Sequence, residues 1–242
     1  MRADRYLVAH GFFDTRARAQ AAIKAGRVTA NGAPVTKPSQ TIPDGAAIDA
    51  APAHPWVSRA ALKLVAALDA FGVDPAGRTC LDIGASTGGF VEVLLERGAA
   101  RVVAVDVGRD QLHASLRGDP RVVSLEQTDA RELTADMIGE PPSLVTCDAS
   151  FIALEKVLAR PLSLAAPGAE LVALFKPQFQ VGRAHVGKGG IVSDPAAVEA
   201  AKAGLRDWLA AEGWTIEGWT ESPIRGGDGN LEHLVLARRV EP

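Results

Sequence analysis

Hydrophobic and polar positions along this chain change rhythm twice. Residues 3–10 read as a short helix stopped at Gly11, and a second helix, Arg16 to Ala25, follows a cap at Thr15 or Asp14 and stops at Gly26. Arg27–Ala30 and Ala33–Thr36 then flank Asn31-Gly32, a strong signal for a hairpin. A third short strand ends near Ile48. Ala50 to Pro55, with two prolines, reads as a linker. A helix is expected from Val57 to Phe71, capped by Ser58 or its neighbours and ended near Gly72.

From Thr79 onward the pattern alternates. Strands are expected at Thr79–Ile83, Arg101–Asp106, Val122–Leu125, Leu144–Asp148 and Ala169–Phe175. Helices are expected between and after them, at Gly88–Arg97, Asp110–Arg117, Ile152–Leu164 and Pro195–Glu212. Strands that are apolar throughout and alternate with helices form a parallel sheet covered on both faces. The last two runs, Thr215–Glu221 and Leu231–Arg238, are joined by too short a loop for a parallel crossover, so the final strand should be antiparallel. The fold class is therefore α/β, a doubly wound Rossmann-like sheet with an antiparallel last strand, preceded by a small α+β unit. The expected division is 1–50 for that unit, 51–62 for the linker and start of a helix, and 63–242 for the sheet domain.

Composition narrows the classes. The 242 residues are 47% hydrophobic and 23% charged, which is ordinary globular usage. No apolar run approaches the ~18 residues that span a bilayer. Arg2, Asp4 and Arg5 open the chain without an apolar stretch behind them, so no secretion signal is expected, and the cytoplasm is the expected location. Cys80 and Cys147 sit far apart in apolar runs and read as buried free thiols. The five histidines lack ligand spacing, and no metal is expected. The net charge is −3, yet residues 1–50 hold seven basic side chains against four acidic ones. Their surplus of three leaves the remainder at −6, an asymmetry that suits a polyanion-binding module joined to something else. The candidate RNA-binding cations are Arg2, Arg5, Arg16, Arg18, Lys24, Arg27 and Lys37, with Arg59 beyond the linker.

Asp82-Ile83-Gly84-Ala85-Ser86-Thr87-Gly88-Gly89-Phe90 follows the first strand of the sheet and opens a helix, where doubly wound folds bind ligands. A dinucleotide site wants a second glycine where Ser86 stands, so a nicotinamide-dependent oxidoreductase fits poorly. Asp82 instead suits a cationic ligand such as S-adenosylmethionine, which carries an ammonium and a sulfonium. Asp106, beside Val107, ends the second strand and can accept both hydroxyls of an adenosine ribose. Asp129-Ala130 follows the third strand and can meet the adenine edge, although turn capping is an equally natural role for both aspartates.

Asp148 ends the fourth strand and Lys176 the fifth. A lysine closing an apolar strand is costly unless it faces a polar cleft or a partner. Burial and neighbouring cations suit such a lysine to the work of a base. Lys63 on the helix before the sheet and Glu232 at the last strand would by themselves be solvated-face residues. The glycine-rich segment His185–Gly190, with Arg183 and Lys188, reads as a mobile lid or a plain loop.

Taken together these residues resemble the TlyA family of rRNA 2′-O-methyltransferases, a family that also carries a haemolysin label. The resemblance spans nearly the whole chain. Arg2 to Ile48 is similar to the S-four RNA-binding domain, through Thr15-Arg16, Ala19-Gln20, Ala25-Gly26 and Asn31-Gly32 with Val35-Thr36-Lys37-Pro38. Trp56-Val57-Ser58-Arg59, the glycine loop, Asp148-Ala149-Ser150-Phe151-Ile152, Lys176-Pro177-Gln178-Phe179 and Gly229-Asn230-Leu231-Glu232 carry the rest. The wider FtsJ-like enzymes use a Lys-Asp-Lys-Glu tetrad, which falls on Lys63, Asp148, Lys176 and Glu232. The resemblance implies S-adenosylmethionine bound by Asp82, the Gly84–Phe90 loop, Asp106, Val107, Asp129 and Ala130, although family members often carry Asn at the position of Asp129. It implies a cytidine 2′-hydroxyl as acceptor in rRNA of assembled subunits. The full first helix of the N-terminal unit implies action on both subunits; a monomer is expected. A membrane-active haemolysin and a non-catalytic RNA-binding protein are the rival classes. The first lacks a spanning segment or a strongly amphipathic basic helix, and the second leaves an intact tetrad unused.

Overall fold

The computed structural model describes residues 1–241. The chain divides into two compact units, Met1–Pro55 and Trp56–Pro242, so the division falls within the segment read as linker.

In the first unit, α1 (Ala3–Ala9) and α2 (Arg16–Lys24) precede β1 (Val28–Ala30), β2 (Ala33–Pro34) and β3 (Ile48–Ala50). The strands form an antiparallel sheet in the order β2-β1-β3. Asn31 and Gly32 both take positive φ, at 51° and 77°, which is what a two-residue hairpin turn of matching twist demands. Thr15 caps α2 by accepting the Arg18 N–H. Tyr6, Leu7, Phe13, Ile23, Val28, Val35 and Ile42 form the core.

Buried among them is a carboxylate. Asp4 has no exposed surface, and it accepts hydrogen bonds from Arg2, from Arg16 at 2.8 Å and from the Gln20 amide at 2.8 Å. These donors hold its carboxyl well below the usual range. A depressed carboxylate adds stability that is complete above its unfolded value near 3.8 and is lost as the pH falls below it. Asp4→Ala is therefore expected to cost the first unit about 2–3 kcal/mol at pH 7, with the difference from the wild type shrinking below about pH 4. Tyr6 is the sole tyrosine, and all four tryptophans lie beyond residue 55, so melting followed by the Tyr6 ring resonances isolates this unit.

The second unit opens with α3 (Ala61–Phe71) and continues β4 (Thr79–Ile83), α4 (Gly89–Glu96), β5 (Arg101–Val105), α5 (Ala114–Arg117), β6 (Val122–Leu125), α6 (Ala135–Ile138), β7 (Leu144–Cys147), α7 (Leu154–Ser163), β8 (Glu170–Phe175), α8 (Pro177–Gln180), α9 (Pro195–Ala211), β9 (Trp214–Glu221) and β10 (His233–Arg239). The seven strands lie in the order β6-β5-β4-β7-β8-β10-β9. β4 to β8 are mutually parallel, and β10 is antiparallel to both β8 and β9. This is the expected doubly wound Rossmann-like sheet with its reversed final strand.

Alternation along the strands feeds two cores. Leu171, Ala173 and Phe175 pack on one face with α7 and α9 residues, whereas Val172 and Leu174 pack on the other with Leu64, Leu68, Val91 and Leu94. Cys80 and Cys147 are free and buried, and burial pushes both thiols up to about 12. No helix among the described residues is long and apolar enough to cross a membrane.

Four local differences from the sequence expectation have physical causes. The helix expected from Val57 begins only at Ala61, because the Val57 N–H goes to the Glu92 carboxylate at 2.6 Å and Ser58 turns back on Ala60. The helix expected from Asp110 is reduced to Ala114–Arg117, because Glu126 takes the amides of residues 110–112. The Ala130–Glu132 turn and α6, capped by Thr134, fill a stretch too short and polar to show helical periodicity. α8 is one turn begun by Pro177, whose ring suits a first helical position.

Candidate active site

β4 is the central strand from which the chain first moves outward to β5 and β6 and then returns to β7 and β8. The crevice at the carboxyl ends of β4 and β7 is thus the switch point where such sheets bind ligands. A two-lobed cleft occupies it. The lobe lined by Ser58, Arg59, Lys63, Asp148 and Lys176 encloses about 250 Å³. The lobe toward Asp106, Val107, Asp129, Ala130 and Phe151 encloses about 400 Å³. Gly84, Ser86, Asp148 and Ser150 border both.

The loop from Gly84 to Gly89 forms the floor. Gly84 has φ 81°, and a Cβ there would stand 3.0 Å from the Ala149 backbone, so β4 and β7 can come this close only at a glycine. A Cβ on Gly89 would stand 2.9 Å from that of Ser58, which packs the 56–60 segment on the start of α4. Ala85, Ser86, Thr87, Gly89 and Phe90 line the first lobe. Asp106 spans the second lobe's border, accepting the Ser86 N–H at 2.8 Å and the Gly108 N–H at 2.7 Å. Asp129 caps the Ala130–Glu132 turn and holds the Arg131 guanidinium at 2.6 Å, while it also lines the lobe. Capping, one of the two roles open to it from sequence, is thus made, and the carboxylate also faces the lobe.

Asp82 and Gly88, counted among the cofactor residues from sequence, do not line the cleft. Asp82 lies beneath it, 1% exposed, with Oδ1 accepting from Thr146 at 2.7 Å and a buried Oδ2 that has no partner.

Four elements deliver the ionisable set. Lys63 comes from the first turn of α3, Asp148 follows β7, Lys176 follows β8, and Glu232 precedes β10. The antiparallel register sets His233 opposite Phe175, which brings the start of β10 to the end of β8. Lys63 Nζ lies 2.6 Å from Glu232 Oε2 and 3.9 Å from Asp148 Oδ1. Lys176 Nζ lies 2.7 Å from Asp148 Oδ1 as an ion pair, and donates hydrogen bonds to Asp148 O at 3.0 Å and Ser150 Oγ at 2.8 Å. Asp148 Oδ1 itself receives no well-aligned hydrogen bond. Lys63, Lys176 and Glu232 are buried, so the two cations and two carboxylates balance where water screens little. The arrangement presents an acceptor oxygen and an amine side by side on the cleft wall. Ser150 had been part of a motif without a role; its place two residues beyond a strand-end aspartate is the signal that marks it.

The candidate RNA-binding cations fare differently. Arg2 and Arg16 are tied to Asp4, and Arg18 lies 3.5 Å from Asp14. Arg5, Lys24, Arg27 and Lys37 are exposed and make no ion pair among the described residues. Arg59 is exposed on the rim of the first lobe.

A doubly wound sheet in this order, with a glycine loop at the switch point and a Lys-Asp-Lys-Glu set above it, defines a Rossmann-type methyltransferase. The comparisons agree. The FtsJ-like methyltransferase family matches residues 56–239, and the S4 domain matches residues 1–48. The 16S/23S rRNA (cytidine-2′-O)-methyltransferase TlyA of Mycobacterium tuberculosis is 46% identical over 239 residues, 98% of this chain and 89% of that one. The 23S rRNA (cytidine-2′-O)-methyltransferase TlyA of Campylobacter jejuni is 41% identical over 180 residues, 74% of this chain and 69% of that one. A solved structure from Streptococcus thermophilus that carries a hemolysin name superimposes with a TM-score of 0.79 at 37% identity, covering all of this chain and 90% of that one. The chain belongs to the FtsJ-like methyltransferases, in the branch that TlyA represents.

Burial pushes the Asp82 carboxyl up to about 7, with Asp148 and Asp106 adding repulsion against the Thr146 bond. A raised carboxylate contributes stability that is complete below its unfolded value near 3.8 and is lost as the pH rises through 7. Asp82→Asn escapes that loss. Its melting temperature relative to the wild type should climb from pH 4 to pH 7.5 and then level, by a free energy of ~2–4 kcal/mol. A difference that stays flat across this range would show that Asp82 ionises normally in the fold.

Proposed function

We propose that this protein transfers a methyl group from S-adenosylmethionine to cytidine 2′-hydroxyls of rRNA in both ribosomal subunits. The observation that carries the reading is the convergence of Lys63, Asp148 and Lys176, from three separate elements, on one wall of a cleft floored by the glycine loop, with Glu232 from a fourth element buried behind Lys63.

The cleft suits this cofactor. Its second lobe offers the Asp106 carboxylate to a ribose and the Ala130, Ile152 and Val157 side chains to a flat ring. The Asp82 carboxyl, with no partner on Oδ2, lies beneath the floor where a cationic amino acid group would sit. No nest for a pyrophosphate is present at Ser86, where a dinucleotide fold needs glycine. S-adenosylmethionine, when bound, supplies the activated methyl group.

The protein's residues do the remaining work. Asp148, which borders both lobes, accepts the hydrogen bond of the incoming hydroxyl and aims its oxygen. Lys176 Nζ, after giving up a proton to solvent, takes the hydroxyl proton as the oxygen bonds to the methyl group. Ser150 Oγ and the Asp148 carbonyl hold that amine in place. Lys63, bonded to Glu232, lies 3.9 Å from Asp148 Oδ1 and helps to fix that carboxylate. Orienting groups of this kind can supply about 7–11 kcal/mol of the barrier reduction. The exposed Arg5, Lys24, Arg27 and Lys37 of the S4 unit serve phosphate contacts, which position RNA without reading it. Base recognition calls for an unstacked nucleotide. Action in the cytoplasm, as a monomer, on assembled subunits completes the reading.

The test is transfer of labelled methyl from S-adenosylmethionine to separated ribosomal subunits from cells that lack the enzyme. Wild-type protein should label ribose in both subunits. Lys176→Ala should lose about 10²–10⁴-fold in rate while binding S-adenosylmethionine normally. Labelling of a single subunit would keep the chemistry and remove the dual substrate. A folded Lys176→Ala enzyme at wild-type turnover would remove Lys176 from its role.

A further inference from the structure

Val107 lines the Asp106 lobe and begins a rim segment that runs to His113, with no helix before Ala114. Burial does not account for its shape at the cleft, because Val107 is 73% exposed there. Its conformation is nonetheless sharply defined. Asp110 takes φ 52°, a conformation uncommon for residues other than glycine, although aspartate is among those that adopt it most readily. The Gly108 carbonyl accepts the Gln127 N–H at 2.9 Å, and the His113 N–H reaches the Thr87 carbonyl at 3.2 Å. Leu112 is 3% exposed, and its methyl group stands 2.7 Å from where a Cβ on Gly88 would be. The rim therefore rests directly on the glycine loop.

One side chain gathers three consecutive amides of this segment. Glu126, just past the end of β6, accepts three consecutive backbone N–H groups: Asp110 on Oε2, and Gln111 and Leu112 on Oε1, each at 2.8 Å. These bonds keep its carboxyl below the usual range against the opposing effect of partial burial. They also consume the amides that would otherwise need a helix or water to satisfy them. Glu126 does not line the cleft.

We propose that Glu126 is a positioning residue for the cofactor: it holds the rim over the adenosine half of S-adenosylmethionine and, through Leu112 and His113, sets the glycine loop. The inference rests on the reading of the cleft given above. It separates binding from chemistry, since Glu126 acts on the Asp106 lobe and has no contact with the Lys-Asp-Lys-Glu wall.

Glu126→Gln keeps the side-chain length and turns one acceptor oxygen into a donor that faces backbone N–H groups. Calorimetry should show S-adenosylmethionine and S-adenosylhomocysteine bound about tenfold or more weakly, the loss expected when charged hydrogen bonds fail. The KM for S-adenosylmethionine should rise by a similar factor, with kcat at saturating cofactor within about twofold of wild type. Glu126→Asp, which keeps the charge at shorter reach, should fall between the two. Wild-type affinity in Glu126→Gln, or a fall in kcat at unchanged KM, would overturn the assignment. Failure of the wild-type protein itself to bind S-adenosylmethionine would instead remove the reading of the cleft on which it rests.

Discussion

Lys63 and Glu232 meet at 2.6 Å in a setting almost closed to water, one on the helix before the sheet and the other at its last strand. Neither charge could remain there alone, because an unpaired buried ion loses several kcal/mol of hydration. The pair thus ties the reversal of β10 to the placement of α3. With β10 parallel to β8, the residue before it would lie at the opposite edge of the sheet, and Lys63 would have no partner. The antiparallel strand is in this sense a requirement of the site.

The same logic extends along the wall. Lys176 closes a strand whose six residues are all buried, and it holds that position by reaching Asp148 and Ser150 across the neighbouring strand end. Pro177 immediately ends the ladder, so the amine leaves the sheet where the cleft begins. The glycine loop completes the geometry from below, since only a residue without Cβ lets β4 approach the Ala149 backbone. Charge pairing sets the wall and close backbone approach sets the floor. The rim depends on a third device, a carboxylate that gathers backbone amides.

Much of this was legible in the sequence. Apolar runs such as Thr79–Ile83 and Leu144–Cys147 have the length and uniform burial of central parallel strands, and Asn31-Gly32 marks its hairpin. The strand ends that carry Asp148 and Lys176 point to chemistry because ionisable residues there are costly without a use. Glu232 and Lys63 were visible only through the family pattern, since each sits on an element that could have faced solvent. What escaped were features set by long-range hydrogen bonds. Nothing in Asp110–Leu112 announces that Glu126 will take its amides, and nothing in Val57–Ala60 announces that Glu92 will stop a helix from starting there. Asp82 looked like a residue facing the ligand, yet alternation along β4 turns it under the floor.

The N-terminal unit shows why counting charges overstates a binding surface. Seven basic side chains lie in its first fifty residues. Arg2 and Arg16 surrender their hydrogen-bonding edges to Asp4, a carboxylate placed inside the core of the unit. Their half-exposed guanidiniums serve the stability of the fold before they can serve a polyanion. The cations without an ion pair among the described residues, Arg5, Lys24, Arg27 and Lys37, can release condensed counterions at full value. The salt dependence of RNA binding should therefore reflect these four more than the formal surplus. In this small unit the same residue type builds the core and provides the surface, and the buried aspartate decides which arginine does which.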